Sequence, residues 1–322
     1  MHTQNQDENT SLLASFLHFA LHPNYQIRLI QKKTRAKFWD VFKLWSFAIL
    51  IVMVLGIAIA ILLNLAGYDE KNHLLTQFIL EKKIFLLFLF AAFWAPLTEE
   101  MTFRLGLRYS PYKLGFSLIF LLMLVCDYLF SRVFKFFPPW VFDLTSWRGL
   151  VCYLSLVLII GFLLSSVLKK FVEQSRAEKF YAKSFQWIYY GSSLIFALLH
   201  IFNYTKLSQI WFLIPLLVAP QFFLGLVLGF VRIRYGFPWT VLNHFIHNAL
   251  SLLPLLILGF LSEDLRNTLL HQNALEMKSI GAHDSAILML GGFAFSLISL
   301  LVLVALIFLF SEYYRQKKRG IA

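Results

Sequence analysis

The sequence predicts an all-α polytopic membrane protein, a bundle of about eight transmembrane helices with both termini in the cytoplasm. Of its 322 residues, 59% are hydrophobic and only 14% are charged, whereas soluble domains are about 25% charged. Apolar runs close to the roughly 20 residues that cross a bilayer recur along the chain. Such continuous runs exclude a transmembrane β-barrel, whose strands alternate apolar and polar residues.

The amino-terminal region, residues 1–40, is polar and basic and is expected to be a cytoplasmic tail. Within it, the apolar stretch from Ser11 to Leu21 is too short to span a bilayer and is followed by Pro23, so we expect a short interfacial helix. Residues 41–312 should form the transmembrane bundle. Residues 313–322 are strongly basic and should form a cytoplasmic tail.

Eight apolar segments are the candidate spans, because each is close to the length of a transmembrane helix. They are, in order, Leu44–Ala66, Ile84–Phe103, Leu114–Phe130, Leu150–Leu168, Phe185–Tyr204, Ile210–Val231, Phe237–Leu261 and Ala286–Phe310. Proline removes a backbone N–H donor, so Pro215 and Pro220 should kink the sixth segment.

The distribution of charge predicts the orientation. With eight spans and a cytoplasmic amino terminus, most of the 29 Lys and Arg residues fall on the cytoplasmic side, as in positive-inside topology. The net charge of +12 therefore indicates orientation in a lipid bilayer and not a nucleic-acid partner. We predict a multi-pass protein of the plasma (inner) membrane. Cys126 and Cys152 each lie in an apolar run and form no metal-binding or disulfide pattern.

The second segment ends in residues that a membrane helix rarely carries: Glu99, Glu100 and Arg104. Placing an ionisable side chain at membrane depth costs about 2.5–3.5 kcal/mol of insertion free energy. Such residues are therefore found where they form ion pairs, face water or take part in a reaction. On a helix, Glu100 and Arg104 are four residues apart and can form an ion pair. Glu99 points about 100° away. The cluster is either a structural ion pair with a spare carboxylate, or a site in which Glu99 acts on water.

Two later segments place histidines in apolar surroundings. His200 closes the run that contains Phe196, where a lone histidine is more often a helix-packing hydrogen bonder than a functional group. The stretch Asn243-His244-Phe245-Ile246-His247-Asn248 puts four polar side chains within six residues, which packing alone does not explain. His244 and Asn248 are four residues apart and share one helix face.

Together these side chains supply a carboxylate that can deprotonate water, imidazoles that can share that water, and an amide that can donate to an oxyanion. This set suits hydrolysis of an amide bond inside a membrane. Buried Glu, His and Asn side chains also build proton relays, so a proton-coupled transporter is one alternative. A transporter is disfavoured because two matching Pro- or Gly-interrupted halves are not evident. A non-catalytic membrane scaffold is the other alternative.

Three ordered motifs, Glu99-Glu100-x-x-x-Arg104, Phe196-x-x-x-His200 and His244-x-x-x-Asn248, resemble those of the CPBP family. These are the CAAX proteases and bacteriocin-processing enzymes, also called the Abi family. Each motif alone is weak, but the ordered trio, each on its own apolar segment, is fairly specific. The resemblance covers roughly residues 84–261, where it implies a CAAX-protease-like core. It implies an eight-helix intramembrane endopeptidase related to the enzyme that trims prenylated CAAX proteins.

The resemblance also implies roles for the motif residues. Glu99 would be the general base for water, and Glu100 with Arg104 would hold the motif and line the site. His200 would orient or activate the water. Because Glu99 lies toward the cytoplasmic end of its segment and His200 toward the outer end of its own, we expect the fifth helix to sit deeper or to break after His200.

The same resemblance implies that His244 and Asn248 form the oxyanion hole. The family is often described as metalloproteases, and if zinc is present its candidate ligands are Glu99, His200 and His244. A glutamate mechanism without metal is at least as compatible with the motifs. The implied partners are the lipid bilayer and a peptide or protein substrate entering from the membrane or the cytoplasm. A non-catalytic bacteriocin-immunity protein is the alternative on this fold.

Overall fold

The structure is a computed structural model that describes residues 10–27, 29–68, 88–133, 147–261 and 282–319. Every regular element in these ranges is helical. The α-helices are α1 (Leu12–Leu21), α2 (Thr34–Leu65), α3 (Ala95–Phe103), α4 (Pro111–Val133), α5 (Trp147–Phe171), α6 (Gln174–Leu199), α7 (Ile214–Leu217), α8 (Ala219–Arg234), α9 (Phe237–Leu261) and α10 (Ala282–Lys318). A π-helical turn (Phe90–Trp94) precedes α3, and 3₁₀ turns cover Leu105–Leu107, His200–Asn203, Leu207–Gln209 and Trp211–Leu213.

Five stretches of the described chain are helices long and apolar enough to cross a membrane, which indicates a membrane protein. They are Thr34–Leu65, Trp147–Phe171, Gln174–Asn203, Trp211–Arg234 and Leu288–Lys318. The three remaining predicted segments fall on the π turn with α3, on α4 and on α9, and residues 84–87 of the second segment lie outside the described residues. The count of eight spans and the side on which the termini lie stay predictions.

The first predicted span is longer than the apolar run suggested, because α2 begins at Thr34 rather than at Leu44. Asp40 and Lys43 in these additional turns of α2 form ion pairs. Asp40 accepts from Lys32 at 2.7 Å and lies 3.4 Å from Lys43, which in turn lies 3.1 Å from Glu312 of α10. The expected boundaries after residues 40 and 312 therefore fall inside the continuous helices α2 and α10.

The helix expected in the amino-terminal region is present as α1. The hydroxyl oxygen of Ser11 accepts a hydrogen bond from the amide of Ala14 at 3.3 Å and so caps its first turn. Phe16 and Phe19 are each only 1% exposed, and both pack against Phe230 of α8. The apolar face of α1 is thus covered by the bundle, and its location at a membrane interface stays a prediction.

The sixth predicted segment lies in the helical stretch Trp211–Arg234, which is divided near its prolines into a 3₁₀ turn, α7 and α8. Pro215 lies in the first turn of α7 and Pro220 lies in the first turn of α8. A proline at the start of a helix costs little, because the N–H that it lacks would have no partner there. Each proline therefore lies at the start of an α-helix, and the α-helical pattern is interrupted at Val218 between them.

Helix α8 is the centre of the bundle. Ten of its 16 residues are buried, and it packs against α1, α2, α6 and α9. Gly229 makes the contact with α6 possible, since a Cβ atom there would lie 2.6 Å from the Tyr189 ring. Helix α9 also packs against α3 and the π turn. This packing brings the first and third sequence motifs together.

Candidate active site

Pro96 follows the π turn that precedes α3 and leaves one carbonyl of that turn without a backbone donor. The amide of Ala95 donates to the carbonyl of Phe90, five residues back. With the same five-residue spacing, the carbonyl of Ala91 would accept from the amide of residue 96, but residue 96 is a proline and has no N–H. The side-chain amide of Asn248 donates to this carbonyl at 2.7 Å instead. Asn248 therefore anchors the turn that precedes the glutamates.

Glu100 is fully enclosed, with no exposed side-chain surface. Its Oε1 atom lies 2.9 Å from Nδ1 of His244, and its Oε2 atom accepts from the hydroxyl of Thr240 at 2.8 Å. Buried carboxylates need such partners, because an unpaired buried charge is very costly. Two hydrogen bonds from one face of α9 thus hold Glu100 in place.

Glu99 occupies a different position from its neighbour. Its side chain keeps 21% of its surface exposed, and its Oε2 atom lies 3.6 Å from Nε2 of His244. That oxygen is buried and has no hydrogen-bond partner among the described residues. His244 therefore stands between the two carboxylates, hydrogen-bonded to Glu100 through Nδ1 and facing Glu99 through Nε2. Of the two glutamates, only Glu99 has both exposed surface and an unpaired oxygen.

Arg104 pairs with Glu100, as the four-residue spacing suggested, but the pair is loose. Its Nη1 atom lies 3.8 Å from Oε1 of Glu100. The side chain is fully buried, and none of its three guanidinium nitrogens has a hydrogen-bond partner within the described chain. Its guanidinium carbon lies 4.2 Å from the ring centroid of Phe196, a distance that favours a cation–π contact.

The second motif joins the site through Phe196. The ring of Phe196 contacts those of His200 and His244, with centroid distances of 4.8 Å and 5.7 Å. Helix α6 ends at Leu199 and a 3₁₀ turn continues the helical stretch from His200 to Asn203. Nδ1 of His200 lies 2.9 Å from the carbonyl of Phe196, which leaves Nε2 as its second polar atom.

Asn243 and His247, the other two polar residues between Asn243 and Asn248, differ in their contacts. Asn243 is buried and donates to the carbonyl of Val41 at 3.3 Å, so it ties α9 to α2. Nδ1 of His247 is buried and has no hydrogen-bond partner in the described chain. Asn243 is thus a packing residue, and nothing in the contacts of His247 assigns it to the glutamates.

Two residues that contact the site were not singled out in the sequence, and the first is Thr240. It lies four residues before His244 and eight before Asn248, so the three share one face of α9. Thr240 bonds Glu100, His244 lies between both glutamates, and Asn248 bonds the carbonyl of Ala91. This repeat of polar residues at four-residue spacing is the signal that could have identified Thr240.

The second is Arg232, which the sequence presented only as a topological charge. Its Nε atom donates to the carbonyl of Arg104 at 2.8 Å and its Nη2 atom to that of Leu105 at 3.1 Å. Carbonyls at the end of a helix have no intrahelical partner. Reciprocally, Arg108 donates to the carbonyl of Ile233 at 2.7 Å, at the end of α8. Each arginine thus caps the other segment's last turn.

The candidate zinc ligands do not converge as a metal site would require. Across the described ranges, no group of three His, Cys, Asp or Glu side chains is placed to hold a metal ion. Nδ1 of His244 is engaged by Glu100 and Nδ1 of His200 faces a backbone carbonyl, so Nε2 of each ring is the atom that a metal would have to use. A catalytic zinc normally has three protein ligands and a water. The described side chains supply no such group of three.

A polar cavity of about 290 Å³ lies elsewhere in the molecule, between α1, the end of α8 and the end of α10. Lys32, Arg234 and Glu312 line it, and none of the three motifs contributes to its wall. This cavity therefore does not identify the site. The contacts between the motif side chains do.

Comparison of the chain with protein-family models, with curated proteins and with solved structures finds no match. The resemblance to the CPBP family therefore rests on the three motifs alone and stays a prediction.

Proposed function

We propose that this protein is an intramembrane endopeptidase, similar to CAAX proteases, that hydrolyses a peptide bond of a peptide or protein substrate. The observation that carries this proposal is the position of His244 between two carboxylates of unequal exposure, Glu100 fully buried and Glu99 partly exposed. Such an environment separates a structural carboxylate from one that can meet water.

In the proposed reaction, Glu99 removes a proton from a water molecule, and the resulting hydroxide adds to the scissile carbonyl carbon. A general base of this kind contributes about 10²–10⁴-fold to a rate. The carbonyl oxygen becomes an oxyanion, the carbon–nitrogen bond breaks, and the leaving amine takes the proton back from Glu99. His200, beside Phe196, orients the water through Nε2.

Asn248 and His244 serve the oxyanion in this proposal. One N–H of the Asn248 amide is used by the carbonyl of Ala91, and the second is available to the substrate. His244 donates through Nε2 only when that atom carries a hydrogen, which it acquires by sharing the proton held by Glu99. A donor aimed at an oxyanion is worth about 3–4 kcal/mol of barrier.

We also propose eight transmembrane spans with both termini cytoplasmic in a plasma (inner) membrane, which places Glu99 toward the cytoplasmic side. Basic residues at the carboxyl end of α10, including Arg315 and Lys318, support this orientation through the positive-inside rule. Labelling of single cysteines at residues 2 and 319 by a membrane-impermeant reagent tests it. Modification at either position in intact cells contradicts a cytoplasmic location of both termini.

Purified protein incubated with a peptide library, with products identified by mass spectrometry, tests the enzyme. Glu99→Gln should reduce cleavage at least about 100-fold, whereas Glu178→Gln, an exposed glutamate on α6, should cleave like the wild type. Full cleavage by Glu99→Gln overturns its assignment as the base. Loss of cleavage with a chelator and recovery with added zinc replaces the metal-free mechanism.

The same preparation separates the alternatives. Wild-type protein that cleaves no peptide but moves protons across vesicle membranes supports the proton-coupled transporter. Protein that does neither, in a folded state shown by its unfolding transition, supports a non-catalytic immunity protein.

A further inference from the structure

Thr240, on the first turns of α9, contacts two acceptors with one hydroxyl. Its oxygen lies 2.8 Å from Oε2 of Glu100 and 3.0 Å from the carbonyl of Leu228. A hydroxyl has one hydrogen to donate. The Leu228 carbonyl lies inside α8, where the amide four residues later serves it. The buried carboxylate has no such substitute, so the hydroxyl hydrogen belongs to Glu100.

The other oxygen of Glu100 constrains His244. Oε2 of Glu100 accepts from Thr240 and the Arg104 guanidinium lies 3.8 Å from Oε1, so donors surround the carboxylate, and a carboxylate only accepts hydrogen bonds. The contact of 2.9 Å between Oε1 and Nδ1 of His244 therefore requires the hydrogen on Nδ1. In a neutral imidazole, Nε2 then has a free lone pair, and it is this atom that faces Glu99.

Arg104 competes for the same carboxylate. Its guanidinium nitrogens have no hydrogen-bond partner in the described chain, and Nη1 is 3.8 Å from Oε1 of Glu100. Arginine and carboxylate groups normally approach to about 2.7–2.9 Å and often bond through two hydrogens. Glu100 is therefore held away from its strongest available partner by its bonds to Thr240 and His244.

From these contacts we infer that Thr240 is a positioning residue: its hydroxyl keeps Glu100 on His244, and Glu100 keeps the His244 hydrogen on Nδ1. Without the hydroxyl, Glu100 turns toward Arg104 and His244 loses its acceptor. The hydrogen of His244 can then move from Nδ1 to Nε2, and Nε2 no longer has the lone pair that would accept a proton from Glu99. The catalytic meaning of this inference rests on the proposed function, but the tautomer of His244 does not.

Nitrogen NMR of protein with ¹⁵N-labelled histidine rings tests the tautomer without substrate. The signals of His244 are identified as those missing from His244→Gln. The wild type should show hydrogen on Nδ1. Thr240→Val, which keeps the shape but removes the hydroxyl, should lose that signal or show a mixture, and Thr240→Ser should restore it. Thr102→Val is the matched control, because it removes a hydroxyl that bonds only the carbonyl of Thr98 on α3.

Hydrolysis of the best peptide substrate gives the second measurement. Thr240→Val should lower kcat about tenfold or more with little change in KM, as expected for a lost hydrogen bond to a charged group. Thr240→Ser should recover most of kcat. If Thr240→Val does not fold, Thr240→Ala removes the same hydroxyl and takes its place.

The NMR measurement and the hydrolysis measurement test different parts of the inference. A wild-type His244 signal in Thr240→Val overturns the positioning role, whatever the peptide result. A shifted signal together with unchanged kcat overturns its catalytic meaning. A shifted signal in a protein whose wild type cleaves no peptide leaves the positioning intact and refutes the proposed function.

Discussion

The side-chain amide of Asn248 donates a 2.7 Å hydrogen bond to the carbonyl of Ala91, the carbonyl that Pro96 cannot pair. The i, i+4 positions Thr240, His244 and Asn248 thus contact the chain from residue 91 to residue 100. Three side chains on one face of α9 align the segment that carries both glutamates. The register between α3 and α9 is therefore set by hydrogen bonds as well as by packing.

Asn248→Ala should lower the free energy of unfolding by about 1–3 kcal/mol, because a carbonyl in the bundle loses its donor. In a Pro96→Ala background, residue 96 regains an N–H that can serve Ala91, so Asn248→Ala should cost less there. Denaturant titration in mixed micelles, arranged as a double-mutant cycle, measures this coupling. Equal costs in both backgrounds contradict the account of the π turn.

The two glutamates should differ in what they contribute to stability. Glu100→Gln leaves Arg104 buried without a countercharge, so it should destabilise the protein by roughly 3–5 kcal/mol. Glu99→Gln should cost less than about 1 kcal/mol, because its side chain is partly exposed and has no close hydrogen bond. The unfolding midpoints of the two variants test this, and a larger loss for Glu99→Gln reverses the assignment of the structural carboxylate.

Arg232 should matter for the position of the glutamate helix. Arg232→Lys keeps the charge but cannot reach the carbonyls of Arg104 and Leu105 together, so we expect a loss of about 1–3 kcal/mol. Arg176→Lys is the matched control, since Arg176 is exposed and forms one surface ion pair. Comparable unfolding energies for the two variants show that Arg232 is only a topological charge.

Gly229→Ala should destabilise the contact between α8 and α6, because its methyl group would lie 2.6 Å from the buried ring of Tyr189. Overpacking of this kind typically costs about 1–3 kcal/mol. Gly191→Ala offers the contrast: a Cβ atom there meets nothing within 4 Å, and alanine favours a helix by roughly 1 kcal/mol over glycine. The thermal unfolding midpoint should therefore fall for Gly229→Ala and rise for Gly191→Ala. Equal shifts in the two variants contradict the close contact between Gly229 and Tyr189.

Much of the architecture was predictable from local pattern. Long apolar runs indicated helices in a membrane, and spacing placed Glu100 with Arg104 and His244 with Asn248. For the fifth helix, the depths of the motifs offered two alternatives, a deeper position or a break after His200. The π turn and the two helix starts at Pro215 and Pro220 were not predictable, since a proline inside an apolar run predicts a disturbance but not its form.

By itself, the sequence determined that the chain is helical and apolar enough for a membrane, because backbone hydrogen bonds in lipid must be satisfied within the helix. It also determined which polar residues share a helix face. Only the tertiary structure decided that His244 stands between Glu99 and Glu100, and that Thr240 and Asn248 hold the same segment. Those contacts depend on the rotation and depth of α3 against α9, which packing between distant parts of the chain decides.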